Sequence, residues 1–372
     1  MNEKEKIFND NTQKYGGIFL DYTSEEGKYI EKRLEEVSKK INEYYNDKKA
    51  VYFTPEGVKS VIIKNKNPDA SKYHPYINVY CVNDDNEINA FAKKIDQEYY
   101  VGILKPVFDK LSTHIEDYVM DEEFSNIPEI GKTKADIMVK VMTEYCMDYL
   151  IFHEFFHIIN GHCDYGQILG INELCEVSEE YCENSMIRQT LEYDADCCAI
   201  ASIVNEFFRN SVVTIPGMHE MVGRVSIDSV IQFIGGLLVA IYIITSWMNM
   251  VRYTIVEMKE ERLEKMTHPL PGMRVLYMWA TVSTVLSRVP FYNKKEKDEI
   301  IERSLNTVFD FIDRFKWMAY PGYLKQSLDT ASLKHIQKVH DNWKEVREKL
   351  TIHYGGLAPY EEFDVVSYFK GR

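Results

Sequence analysis

The sequence has no CxxC pair, no Lys/Arg block, no internal repeat and no low-complexity tract. Each absence excludes a class. Seven scattered cysteines, odd in number and without the spacing of a secreted scaffold, fit a reducing cytosol rather than a disulfide framework. Without a basic block, and with a formal charge of −14 spread through mixed-sign segments, no phosphate-binding surface is expected and nucleic acid is not an expected partner. Met1-Asn2-Glu3-Lys4-Glu5-Lys6 is followed by no apolar run, so no secretory signal is expected. The expected location is the cytoplasm.

What the chain does have is material for a large core: 372 residues, 45% of them hydrophobic, enough for one elaborated domain or two closely packed ones. Ile30, Leu34, Val37, Ile41 and Tyr45 recur at helical spacing, which gives an amphipathic helix over 24–48. Five short β-rich runs follow, at 50–54, 58–64, 76–82, 87–93 and 98–104. Turn signals such as Asn67-Pro68-Asp69 and Asn83-Asp84-Asp85-Asn86 separate them. After Lys105 the pattern is helical. The expected fold is α+β and predominantly helical, with a small, mostly antiparallel N-terminal sheet and an added C-terminal helical region. The expected division is an N-terminal helical segment over 1–48, a core over 49–275, and C-terminal helices over 276–372 packed on that core.

One stretch carries chemistry. His153-Glu154-Phe155-Phe156-His157 is an HExxH motif in a helical, strongly apolar setting. Residues i and i+4 share a helix face, so His153 and His157 can offer two imidazole nitrogens to one metal ion. Glu154, about 100° further round, can face a water on that metal without being a ligand. The bland alternative is two histidines and a glutamate on a buried helix. Burying two imidazoles among Phe152, Phe155, Phe156, Ile158 and Ile159 without a partner is costly, however, and a metal supplies one.

A catalytic zinc takes three protein ligands and keeps one position open. The metzincin register is excluded, because it would need glycine and histidine where Asn160 and Cys163 stand. His162 is out of phase with His157 and is expected past the helix end as a polar or packing residue. Glu192 is the better third ligand: it lies on a later helix, with Asp196 on the same face four residues on. One carboxylate would then reach the metal and the other would hydrogen-bond a ligand imidazole. The bland reading of this pair is an exposed acidic face.

HExxH, then Glu192-Tyr193-Asp194-Ala195-Asp196, then His268-Pro269 with Arg274 six residues after the histidine, resembles the gluzincin peptidases of the HtpX and CAAX prenyl protease group. Asn89-Ala90-Phe91-Ala92 and Val101-Gly102-Ile103-Leu104 look like that group's NAFA strand and the strand after it. The motifs occur in family order over 89–274. The resemblance implies a zincin-like arrangement of the active-site helices and one zinc ion held by His153, His157 and Glu192. It makes Glu154 the general base, Asp196 the partner of a ligand imidazole, and His268 the group that steadies the oxyanion. It also implies an ordering ion pair from Arg274, and a strand at Asn89, Ala90, Phe91 and Ala92 that lies beside a protein or peptide substrate. Physically, that last role is addition of a peptide to an exposed sheet edge. A second likeness, of overall character, is to the phage-exclusion peptidase Lit, a cytoplasmic HExxH protease acting on a specific host protein.

The charge-free run 230–251, between Asp228 and Arg252, is long enough to span a membrane. A single crossing there would put Glu192 and His268 on opposite sides of the bilayer. A central buried helix is therefore the expectation, with membrane attachment through 230–251 as the alternative. The expected activity is zinc-dependent hydrolysis of peptide bonds. The competing reading is a non-catalytic sensor or interaction protein on a peptidase fold.

Overall fold

The structure, a computed structural model, describes residues 1–43, 49–54, 57–62, 75–85, 87–119, 132–170, 174–175, 184–211, 225–250, 263–314, 327–350 and 364–370. The turn expected at Asn67-Pro68-Asp69 and the helical position of Tyr45 lie outside them. Helices dominate. They are α1 (Glu3–Asn11), α2 (Glu25–Asn42), α3 (Pro106–Asp109), α4 (Leu111–Val119), α5 (Lys132–Ile159), α6 (His162–Ile168), α7 (Ser185–Ser211), α8 (Ile227–Met250), α9 (Pro271–Ser287), α10 (Lys294–Arg314), α11 (Thr330–Arg347) and α12 (Val365–Lys370).

Helix α2 forms for the reason its spacing suggests. Ile30, Leu34, Val37 and Ile41 are buried along one stripe, and the Ser24 side chain caps the start by accepting from the Gly27 amide. That stripe packs on the sheet and on α5.

The strands are β1 (Lys49–Thr54), β2 (Gly57–Ile62), β3 (Ile77–Val82), β4 (Ala90–Ile95), β5 (Glu98–Leu104) and β6 (Leu174–Cys175). β1 and β2 make a separate antiparallel pair. The other four form a sheet in the order β3-β5-β4-β6. β4 and β5 are a hairpin closed at Asp96, whose φ of 54° supplies the left-handed turn residue. Because β4 takes one side of β5, β3 takes the other and runs parallel to it, so the sheet is mixed rather than uniformly antiparallel.

β4 alternates as a two-sided buried strand should. Ala90 and Ala92 belong to the core that contains α5, and their small side chains let that helix lie close against the strand. Phe91 points the other way, into a cluster with Phe8, Tyr100 and Leu104. Its ring covers Gly102 of β5, where an added β-carbon would come within 2.8 Å of three Phe91 ring atoms.

Helix α8 is the one long apolar helix among the described residues that could cross a membrane by length and hydropathy. It is mostly buried, packed against α5, α9 and α10. Cys146 Sγ of α5 approaches Ala240 O at 3.3 Å, and Gly235 lets Thr307 of α10 come close. The elements after residue 275 pack on earlier ones: α10 on α8, α11 on α7, and α9 on both.

The Phe91–Gly102 contact is testable. Gly102→Ala is expected to destabilise the protein by about 1–3 kcal/mol through overpacking, read by chemical denaturation. An unchanged midpoint would show that Phe91 is free to move, contrary to this packing.

Candidate metal centre

Helix α5 is buried on every side near its C-terminal end: Leu150, Phe152, Phe155, Phe156, Ile158 and Ile159 all lie in the core. Within this apolar surround His153, Glu154 and His157 are each about 1% exposed. Helix α7 packs against α5 and delivers Glu192, at 2% exposure. His153, His157 and Glu192 converge with one donor atom each inside a 4.8 Å span.

The separations test whether a metal fits. His153 Nε2 and His157 Nε2 are 3.1 Å apart, His153 Nε2 lies 3.1 Å from Glu192 Oε2, and His157 Nε2 lies 3.3 Å from Glu192 Oε1. Donors at about 2.0–2.1 Å from a tetrahedral ion sit roughly 3.3 Å from one another. The three side chains can therefore hold one ion with little rearrangement.

The other expected residues fall around this group. Asp196 Oδ1 is 2.9 Å from His153 Nδ1, so the carboxylate stands behind the nitrogen that faces away from the convergence point. Arg274, from α9, donates to both Asp196 oxygens, Nε to Oδ2 at 2.8 Å and an Nη to Oδ1 at 2.7 Å. The same guanidinium lies 3.9 Å from Glu192. His268 Nε2 is 3.6 Å from Glu192 Oε1, and its Nδ1 is 2.9 Å from Thr267 Oγ1. Glu154 is buried on the same turn as His153.

Asn89, Ala90, Phe91 and Ala92 are buried in the sheet beside α5. The Asn89 side chain accepts from the Ala90 amide at 2.8 Å. Addition of a peptide at this strand would need an exposed edge. Instead β4 is bonded on both sides, and the chain's own Leu174–Cys175 pairs with Ala92 and Phe91. A partner strand of two residues gives no periodic signal, so this could not be read from the sequence.

Two tyrosines were missed. Tyr149 donates to Asp196 Oδ1 at 2.5 Å and accepts from Arg274 at 2.6 Å, and Tyr277 also donates to Asp196. The signal was available, since Tyr149 is four residues before His153 and Tyr277 three after Arg274, each on the same helix face. His162 lies past the end of α5 as the first residue of α6, fully buried, with Nδ1 2.9 Å from His157 Nδ1.

Protonation follows from burial and charge. Burial, opposed by Glu192 and reinforced by the neighbouring His153 and His162 rings, pushes the His157 imidazole down to about 3, leaving it neutral as a metal ligand must be. For His153 burial also opposes charge, but Glu192 and Asp196 outweigh it and hold its pKa well above the usual range. Burial would raise the Glu192 carboxyl, yet His268, His157 and His153 together hold it well below. Asp196 is likewise depressed: burial opposes its charge, and Arg274 and His153 override burial.

No family model, curated protein or solved structure matches this chain. What stands on geometry is a buried His153, His157 and Glu192 group able to hold a metal ion.

A depressed carboxylate contributes stability above its unfolded pKa, about 3.9, and that contribution is lost as pH falls through the lower folded value. Acid unfolding of the wild type should therefore steepen below pH 4, and Asp196→Asn should flatten that limb while lowering stability at neutral pH. Parallel acid limbs in the two proteins would remove Asp196 as the titrating group.

Proposed function

We propose that this chain is a zinc-dependent metalloendopeptidase of gluzincin type, hydrolysing peptide bonds of a protein or peptide substrate. The observation that carries this is the convergence of His153, His157 and Glu192, from two separate helices, at tetrahedral spacing inside an apolar core. Two imidazoles and a carboxylate suit zinc among divalent ions.

Zinc bound there would supply Lewis acidity toward the scissile carbonyl and make a water nucleophilic at neutral pH. The protein does the rest. Glu154, next to His153 and not among the three converging ligands, takes the proton from the attacking water and delivers it to the leaving amine. His268, beside Glu192, donates to the oxygen on which negative charge develops. Asp196 holds the His153 ring, and Arg274 with Tyr149 and Tyr277 holds Asp196. Asn89 to Ala92 would line the substrate, which requires the β6 segment to leave the β4 edge for a peptide to take its place. With the ligands this buried, turnover includes an opening step.

The second reading is a non-catalytic protein holding a structural ion on the same scaffold, and the closure of the site favours it. A glutamate retained beside the first ligand, where a structural site needs none, favours catalysis.

The two separate in one experiment on zinc-loaded protein with a peptide library. Glu154→Gln should keep one zinc per chain and lose hydrolysis by about 10²-fold or more. A variant that retains both zinc and full turnover would overturn the assignment of the base. A wild type that binds zinc and cleaves nothing would favour the structural reading.

A further inference from the structure

The His157 imidazole has two nitrogens, and only one can face an ion. Its Nε2 points to His153 and Glu192, and its Nδ1 points to His162. The contact exists because of a chain reversal. Helix α5 ends at Ile159, Gly161 takes a left-handed φ of 79°, and α6 begins at His162. The His162 ring returns onto His157 with centroids 5.1 Å apart and Nδ1 to Nδ1 at 2.9 Å. On its far side His162 Nε2 lies 3.1 Å from Asp194 Oδ2. That same oxygen accepts from Asn160 Nδ2 at 2.6 Å. Trp343 of α11 stands edge-on to the His162 ring, with centroids 6.5 Å apart. All members of the chain are buried, from fully for His162 to 3% exposed for Asn160.

With both rings neutral, the donors and acceptors in this chain admit one consistent assignment. A carboxylate only accepts, so the nitrogen facing Asp194 carries the hydrogen, and His162 is the Nε2–H tautomer. Its Nδ1 then holds a lone pair. Two nitrogens 2.9 Å apart share one hydrogen, so the His157 Nδ1 must donate it. His157 is left with a bare Nε2 aimed at the convergence point, which is the form that ligates a metal.

We propose that His162 and Asp194, with Asn160 holding the carboxylate, are positioning residues that fix His157 in its Nδ1–H tautomer and thereby set the metal affinity of the site. The inference rests on the metallopeptidase reading and adds to it. Helix α7 then serves the centre three times. Glu192 supplies the ligand, Asp196 backs His153 directly, and Asp194 backs His157 through an interposed imidazole. The bland alternative is a hydrogen-bonded cluster that stabilises the fold and leaves the metal indifferent.

Zinc affinity by chelator competition, the visible spectrum of the cobalt-substituted protein, and the ring ¹⁵N shifts of the zinc-loaded wild type separate these. His162→Phe keeps a ring and removes the acceptor; His162→Gln keeps a side-chain carbonyl that can accept from His157. We expect His162→Phe to weaken zinc binding about 10- to 100-fold and to alter the cobalt bands, with His162→Gln recovering most of the loss. In wild type His162 should be the Nε2–H tautomer and His157 Nδ1–H. If the Phe variant does not fold, the wild-type tautomers decide alone. Wild-type zinc binding with His162 as the Nδ1–H tautomer, or a folded Phe variant matching wild-type affinity within twofold, overturns the relay and leaves the peptidase reading standing. A wild type that takes up no zinc overturns both.

Discussion

Two carboxylates of one helix, Glu192 and Asp196, are withdrawn almost completely from water, and the surrounding core is arranged to make that tolerable. An isolated buried carboxylate is costly, and a pair of them more so. Asp196 is satisfied by the forked guanidinium of Arg274, by two tyrosine hydroxyls and by the adjacent imidazole of His153. Glu192 faces three imidazoles, from His153, His157 and His268. These groups come from α5, α7, α9 and the segment before α9, so the burial of two acids ties together elements separated by more than a hundred residues. Removing Arg274 alone would leave a buried charge without its counter-ion, which is worse than never having buried the pair.

The remainder of the fold reads as support for that cluster. The apolar helix α8 is packed among α5, α9 and α10, and so braces two of the helices that carry site residues. Helix α11 lies on α7. It reaches in with His335 to Gln189 at 2.7 Å, with His340 to Tyr193 at 2.9 Å, and with Trp343 against His162. The sheet presents Ala90 and Ala92 to α5, where larger side chains would push that helix away.

Much of this was legible because helical spacing is a strong constraint. HExxH placed two imidazoles on one face, and the four-residue step from Glu192 to Asp196 placed two carboxylates on another. The resemblance called for an ordering ion pair from Arg274 and for His268 near the site; the structure supplies their partners, Asp196 for Arg274 and Glu192 beside His268. Three things were hidden. The parallel pairing of β3 with β5 depends on which side of β5 the hairpin strand takes, which alternation does not encode. The cover of the β4 edge by Leu174–Cys175 comes from a strand of two residues, too short for alternation to reveal. The place of His162 depends on the left-handed turn at Gly161, which converts a residue out of phase on a continuous helix into the immediate neighbour of His157.

The central claim is that His153, His157 and Glu192 form one zinc site. X-ray absorption on the zinc-loaded protein tests it most directly. The account predicts one zinc per chain with two imidazole nitrogens and one or two oxygens at about 2.0–2.2 Å, and loss of that signature in Glu192→Gln. Zinc bound through sulfur, or an unchanged spectrum in Glu192→Gln, would contradict it.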